Sequence, residues 1–114
     1  MDLLQRVEGN TLVLKVFVRQ LNAASASVLR RRIAKLAGSG SRRLVLDISE
    51  VETIDSNGLS ALVFALKRLQ FHNLRNFAIS GPRESVMSML KLTRLYRVFD
   101  IFPNCEQAIA ALGS

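Results

Sequence analysis

The chain is 114 residues long, enough for one hydrophobic core and too short for two, so a single domain over residues 1–114 is predicted. Hydrophobic residues make up 49% and charged residues 22%, a balance that excludes wholesale disorder. Sixteen Lys and Arg against nine Asp and Glu give a net charge of +7, which permits a nucleic-acid ligand, an acidic protein partner or simply a well-solvated surface.

Residues 3–7 and 11–18 are apolar stretches separated by Glu8-Gly9-Asn10, a turn signal that predicts a hairpin. Within the second stretch Leu12, Leu14, Val16 and Val18 share one face. Ser25 or Ser27 is then expected to cap a helix reaching about Ala37, with Val28, Leu29, Ile33 and Leu36 as its buried stripe. Arg30, Arg31, Arg32 and Lys35 fall on its other side, and Gly38-Ser39-Gly40 ends it. Residues 44–48 are a short apolar and β-branched run, as expected of a strand covered on both faces.

A second helix is predicted from about Ser56 to Phe71, with Leu59, Leu62, Val63, Leu66 and Leu69 inward and His72-Asn73-Leu74 closing it. Residues 77–79 form the next strand. Ser80-Gly81-Pro82-Arg83-Glu84 has the grammar of a helix start, with Ser80 or Gly81 as cap, Pro82 as first helical residue, and Val86, Met89 and Leu90 buried. A last strand over residues 98–101 precedes a helix opened by Asn104, with Gln107 three residues on. The order β-β-α-β-α-β-α-β-α predicts an α/β fold with a mixed, mostly parallel sheet of about five strands and four helices. Functional groups in such sheets gather where strand C-termini lead into helix N-termini. Three loops qualify: residues 19–25, 49–58 and 80–84.

The longest uncharged apolar run, Gly58 to Leu66, is about half of what a membrane-spanning helix needs. Residues Met1 to Arg6 lack the basic-then-apolar order of a secretion signal, so a soluble, cytoplasmic protein without membrane insertion is expected.

Catalytic constellations are scarce. One histidine, His72, and one cysteine, Cys105, supply neither a zinc cluster nor a disulfide, and no Ser/His/Asp triad forms without His72 at its centre. No phosphate-cradling glycine motif occurs. Asp47, Glu50, Glu52 and Asp55 bunch along one loop without a recognisable metal-ligand spacing. An enzyme is not expected, and neither is a metal or cofactor.

The loop from Asp47 to Gly58 is the most informative stretch. Asp55 or Ser56 is expected to cap the second helix, and read alone this is a structural role. A hydroxyl at a helix start is also exposed to a kinase, and a phosphate there meets free N–H groups and the positive end of the helix dipole. Gly58 is expected to keep the first turn slim, so that a partner approaches the serine closely.

With its surroundings this stretch resembles the STAS domain family, and within it the stand-alone bacterial anti-sigma factor antagonists. The resemblance runs through residues 44–62, then 77–82, Val86, residues 90–95, Val98-Phe99 and residues 106–112, covering about residues 10–112. It implies a protein that binds an anti-sigma factor, commonly a serine kinase, and so frees a sigma factor. The kinase would then phosphorylate Ser56 to release the antagonist, and a phosphatase would reset the switch. Asn22, Asp55, Ser56, Asn57, Gly58 and Leu59 would form the partner surface. The chain departs from the family pattern at residues 19–22, where Arg-Gln-Leu-Asn replaces a Gly-x-x-Asp, and at Asn57, where many relatives carry Ser or Thr. Two other readings stand beside this one. The first is an unphosphorylated STAS module of a transporter complex or signalling scaffold. The second is a basic nucleic-acid binder using residues 30–35, Arg42 and Arg43, although no aromatics interleave with the arginines as stacking platforms.

Overall fold

The computed structural model of the protein describes residues 2–38, 43–69 and 76–113. Two strands, β1 (Asp2–Glu8) and β2 (Thr11–Phe17), form the expected antiparallel hairpin. Glu8 pairs with Thr11, which leaves Gly9 and Asn10 as a two-residue turn, and Gly9 takes the positive φ of 62° that this turn demands. Parallel pairing then adds β4 (Arg43–Asp47), β6 (Phe77–Ser80) and β7 (Ile101–Phe102), giving a five-stranded sheet in the order β1-β2-β4-β6-β7.

Each face of the sheet has its own cover. Leu14, Val16, Leu44, Leu46, Phe77 and Ile79 point into the larger core with the helices α1 (Ala23–Gly38), α2 (Ser56–Leu69) and α3 (Glu84–Leu92). Val13, Val45 and Ala78 point the other way, against Ala108 and Leu112 of α4 (Cys105–Gly113). Burial on both faces explains why β4 reads as a continuous apolar run. Leu59, Leu62 and Leu69 of α2 are buried as expected, with Val63 and Leu66 packed at the margin. Asn104 caps α4 by accepting from the Gln107 N–H at 2.9 Å.

Four local expectations change. The first helix is capped by Asn22, not by Ser25 or Ser27: the Ser25 N–H donates to Asn22 Oδ1 (3.4 Å), and the Asn22 N–H donates to Ser25 Oγ (2.9 Å). Ser25 is thus the returning member of a capping box. The third helix begins at Glu84 with Arg83 at its cap, because Gly81, at φ 69°, turns the chain to donate its N–H to the Phe102 carbonyl (2.9 Å). Pro82 therefore precedes the helix.

The last strand is Ile101–Phe102, not residues 98–101. Arg94, in the left-handed region at φ 62°, leads into a 3-10 turn at Leu95–Arg97. Val98 is left exposed, and Phe99 packs edge-on against Phe77 at 6.3 Å. Finally, a two-stranded parallel ribbon, β3 (Gln20–Leu21) with β5 (Thr53–Ile54), was not foreseen. Its strands lead directly into α1 and α2, so it sets those two helix starts side by side. The expected helix end at residues 70–74 lies outside the described residues, as do Arg42 and Arg75.

Candidate functional site

The ribbon fixes the geometry of Ser56. Asp55 leaves β5 and donates its N–H to the Leu21 carbonyl at 3.3 Å. Its side chain then turns over the start of α2, where Oδ1 accepts the N–H groups of Asn57 (2.8 Å) and Gly58 (3.1 Å). Of the two cap candidates, Asp55 holds the role. Ser56 is the first residue of a 14-residue helix and is exposed, and among the described residues its hydroxyl has no hydrogen-bond partner. Asp55 and Asn57 on either side are exposed as well. The first turn therefore presents a free hydroxyl beside a carboxylate and an amide.

Gly58 and Leu59 face the opposite way. Both are buried, and a Cβ on Gly58 would lie 2.5 Å from the Leu21 carbonyl oxygen and 2.6 Å from Ile54 Cγ1. The expectation that Gly58 thins the outer surface for a partner is corrected: the glycine lets α2 press against the β3/β5 ribbon. Leu59 belongs to the core cluster, so it supports the site from beneath. Asn22 is half-buried and engaged as the α1 cap, in the ribbon strand's exit from Leu21. An open groove of about 580 Å³ runs along that side, lined by Arg19, Gln20, Asn22, Ser25, Glu52 and Thr53 among others.

The three loops singled out by topology are tied together, and Glu52 is the knot. Its N–H and that of Thr53 donate to the Arg19 carbonyl (2.7 and 3.0 Å), while its carboxylate meets Arg19 Nε at 3.5 Å and Arg83 Nη1 at 3.9 Å. Arg83 Nε also donates to the Ser49 carbonyl at 2.9 Å, and the Ser85 hydroxyl to the Glu52 carbonyl at 2.6 Å. No spacing in the sequence signals this arrangement, since each tie joins residues more than 30 positions apart.

The four clustered acids diverge. Asp47 is buried at the end of β4, accepting from the Ser49 N–H at 3.0 Å and from Cys105 Sγ at 3.4 Å. Glu50 faces Lys15 at 3.9 Å, Glu52 joins the loops and Asp55 caps α2. Among the described residues no group of three His, Cys, Asp or Glu side chains is placed to hold a metal. Cys105 opens α4 half-buried, with Ser80 Oγ at 3.2 Å, a packing position.

The basic cluster of α1 is likewise divided. Arg30 turns to α2, where it hydrogen-bonds Ser60 and lies over the Phe64 ring, whereas Arg32 donates to Gln5 of β1 at 2.9 Å. Arg43 donates to the Gly113 carbonyl at the far end of the sheet. No helix among the described residues is long and apolar enough to cross a membrane.

These features define a small α/β module that offers a serine at a braced helix start, beside an open groove. The STAS domain family model matches residues 4–108, and the chain belongs to that family. A candidate anti-sigma factor antagonist of Thermotoga maritima is 29% identical over 92 residues, covering 80% of each chain. A crystal structure of a Thermotoga maritima protein with the same description superposes with a TM-score of 0.84 at 25% identity, over 96% of this chain and 93% of that one. The Bacillus cell-fate determinant SpoIIAA in its phosphorylated form shares the fold, with a TM-score of 0.72 at 15% identity over 97% and 99% of the two chains. So does a sulfate transporter family protein of Wolinella succinogenes, at 0.79 and 14% over 94% and 88%.

Proposed function

We propose that the protein is an anti-sigma factor antagonist: in its unphosphorylated state it binds an anti-sigma factor with serine-kinase activity, and phosphorylation of Ser56 releases it. The observation that carries this reading is the free, exposed hydroxyl of Ser56 at a helix start whose amides are already capped by Asp55. Capping and phosphate acceptance do not compete here, because different side chains perform them. The naming of its Thermotoga relatives supports the same role.

In the transfer step the γ-phosphoryl group of ATP would pass to Ser56 Oγ, ADP would leave, and the hydroxyl proton would go to a base on the kinase. The product carries about −2 charge at neutral pH. The fold tolerates it, since the dipole of α2 favours an anion at its N-terminus. A docked partner does not, because the dianion must be desolvated at the interface.

The docking surface consists of the exposed Asp55, Ser56 and Asn57, with Asn22 across the ribbon; Gly58 and Leu59 contribute by holding that turn in place. A phosphatase acting on the same serine would restore binding in the cytoplasm. Incubation with the cognate kinase and ATP, followed by peptide mass spectrometry, is expected to place one phosphate on Ser56 and none on Ser56→Ala. No phosphate on Ser56 would refute the switch and leave an unphosphorylated STAS interaction module.

A further inference from the structure

Arg30 leaves α1 and reaches across to α2, where its Nη2 donates to Ser60 Oγ. Its guanidinium lies 5.3 Å from the centroid of the Phe64 ring, and Arg68 occupies the same ring at 5.2 Å. Helical geometry decides what lies next to this contact. Four residues make slightly more than one turn, so Ser56 and Ser60 share a face of α2, separated by about 6 Å along its axis. Arg30 also lines a crevice of about 260 Å³ between the two helix starts, together with Ala23, Ala26, Ser27 and Asn57. That crevice extends from Arg30 to the first turn of α2, where Asn57 directly follows Ser56. Its alanines leave room for a long side chain to pivot.

We propose that Arg30 is the phosphate-binding residue of the switch: once Ser56 carries a phosphoryl group, Arg30 exchanges the Ser60 hydroxyl for the phosphoserine oxygens. This rests on the reading of Ser56 as the acceptor and adds the group that receives the new charge. The exchange replaces a neutral acceptor by a dianion, so a bond with one charged partner becomes an ion pair that the guanidinium can make with two parallel N–H groups. Arginine suits the task, because its planar fork matches phosphate geometry and already lies against an aromatic face. Arg68 cannot substitute, since twelve residues place it about 18 Å along the helix from Ser56. Phosphorylation therefore alters the docking face twice. It adds a dianion at the first turn and draws the Arg30 cation away from Ser60, one turn below.

The test uses protein with phosphoserine placed at position 56 during translation, so that no kinase is needed. The phosphate is titrated by phosphorus NMR, against a reference pKa of about 6 for an exposed phosphoserine. Arg30→Gln is expected to raise the phosphate pKa by about 0.5 unit relative to the parent, equivalent to about 0.7 kcal/mol for an exposed pair. Arg30→Lys, which keeps the charge, should retain most of the parent value, and Arg68→Gln all of it. The difference should shrink in 1 M salt, where the screening length is about 3 Å. An unchanged pKa in Arg30→Gln, or an equal rise in Arg68→Gln, would overturn the assignment. Because the phosphate is installed independently, such a result would leave the kinase assay on Ser56 untouched, and failure of that assay would leave this titration readable.

Discussion

Gly58→Ala isolates the contact that holds the switch helix in place. The added methyl carbon would sit 2.5 Å from the Leu21 carbonyl oxygen and 2.6 Å from Ile54 Cγ1, each about 1 Å inside ordinary van der Waals distance. The oxygen cannot yield freely, because it belongs to the ribbon backbone and accepts the Asp55 N–H. Overpacking of this kind costs about 1–3 kcal/mol. Alanine returns up to about 1 kcal/mol through its higher helix propensity, less in a first turn than in an interior. The net expectation is a loss of about 1–2 kcal/mol, which for a domain of this size lowers the melting temperature by about 5–10 °C. Thermal unfolding followed by circular dichroism measures it. A melting temperature equal to or above that of the parent would show that α2 does not depend on the close approach at Gly58, and the account of how Ser56 is positioned would fail.

Asp55→Ala removes the acceptor of two helix-start amides and should cost about 1 kcal/mol, visible in a urea titration as a lower midpoint at unchanged slope. Asp55→Asn, whose amide oxygen caps equally well, should recover most of that loss while changing the charge beside Ser56. The divided basic cluster predicts that any binding to duplex DNA is weak and unspecific, lost between 50 and 200 mM salt in a fluorescence-anisotropy titration. Tight binding that survives 200 mM salt would restore nucleic acid as a ligand.

The fold was legible wherever a local pattern carried the information. The Gly9-Asn10 turn, the unbroken apolar run of β4 and the Asn104 cap each depend on a few neighbouring residues, and each lies where the sequence puts it. Residues 98–101 misled because apolar alternation resembles a strand even where Arg94 and the 3-10 turn set the local backbone, leaving only Ile101 and Phe102 to meet β6. The β3/β5 ribbon has two residues per strand, too few for a period, so its existence follows only from tertiary contact.

The site divided in the same way. Ser56 and Asp55 could be found from the cap grammar and the family pattern, although which of them caps required coordinates. The place of Gly58 in the motif is legible, but the direction it faces depends on Leu21, 37 positions earlier in the chain. The role of Glu52 as a tie between loops has no local signal, because Arg19 and Arg83 approach it from distant segments.

The central claim is that the state of Ser56 decides partner binding. Isothermal titration calorimetry of the cognate anti-sigma kinase against the protein with serine, and separately with phosphoserine, at position 56 tests it most directly. The account predicts tight binding of the serine form and at least a hundredfold weaker binding of the phosphoserine form, a difference of about 2.7 kcal/mol or more. Equal affinities for the two forms would contradict it.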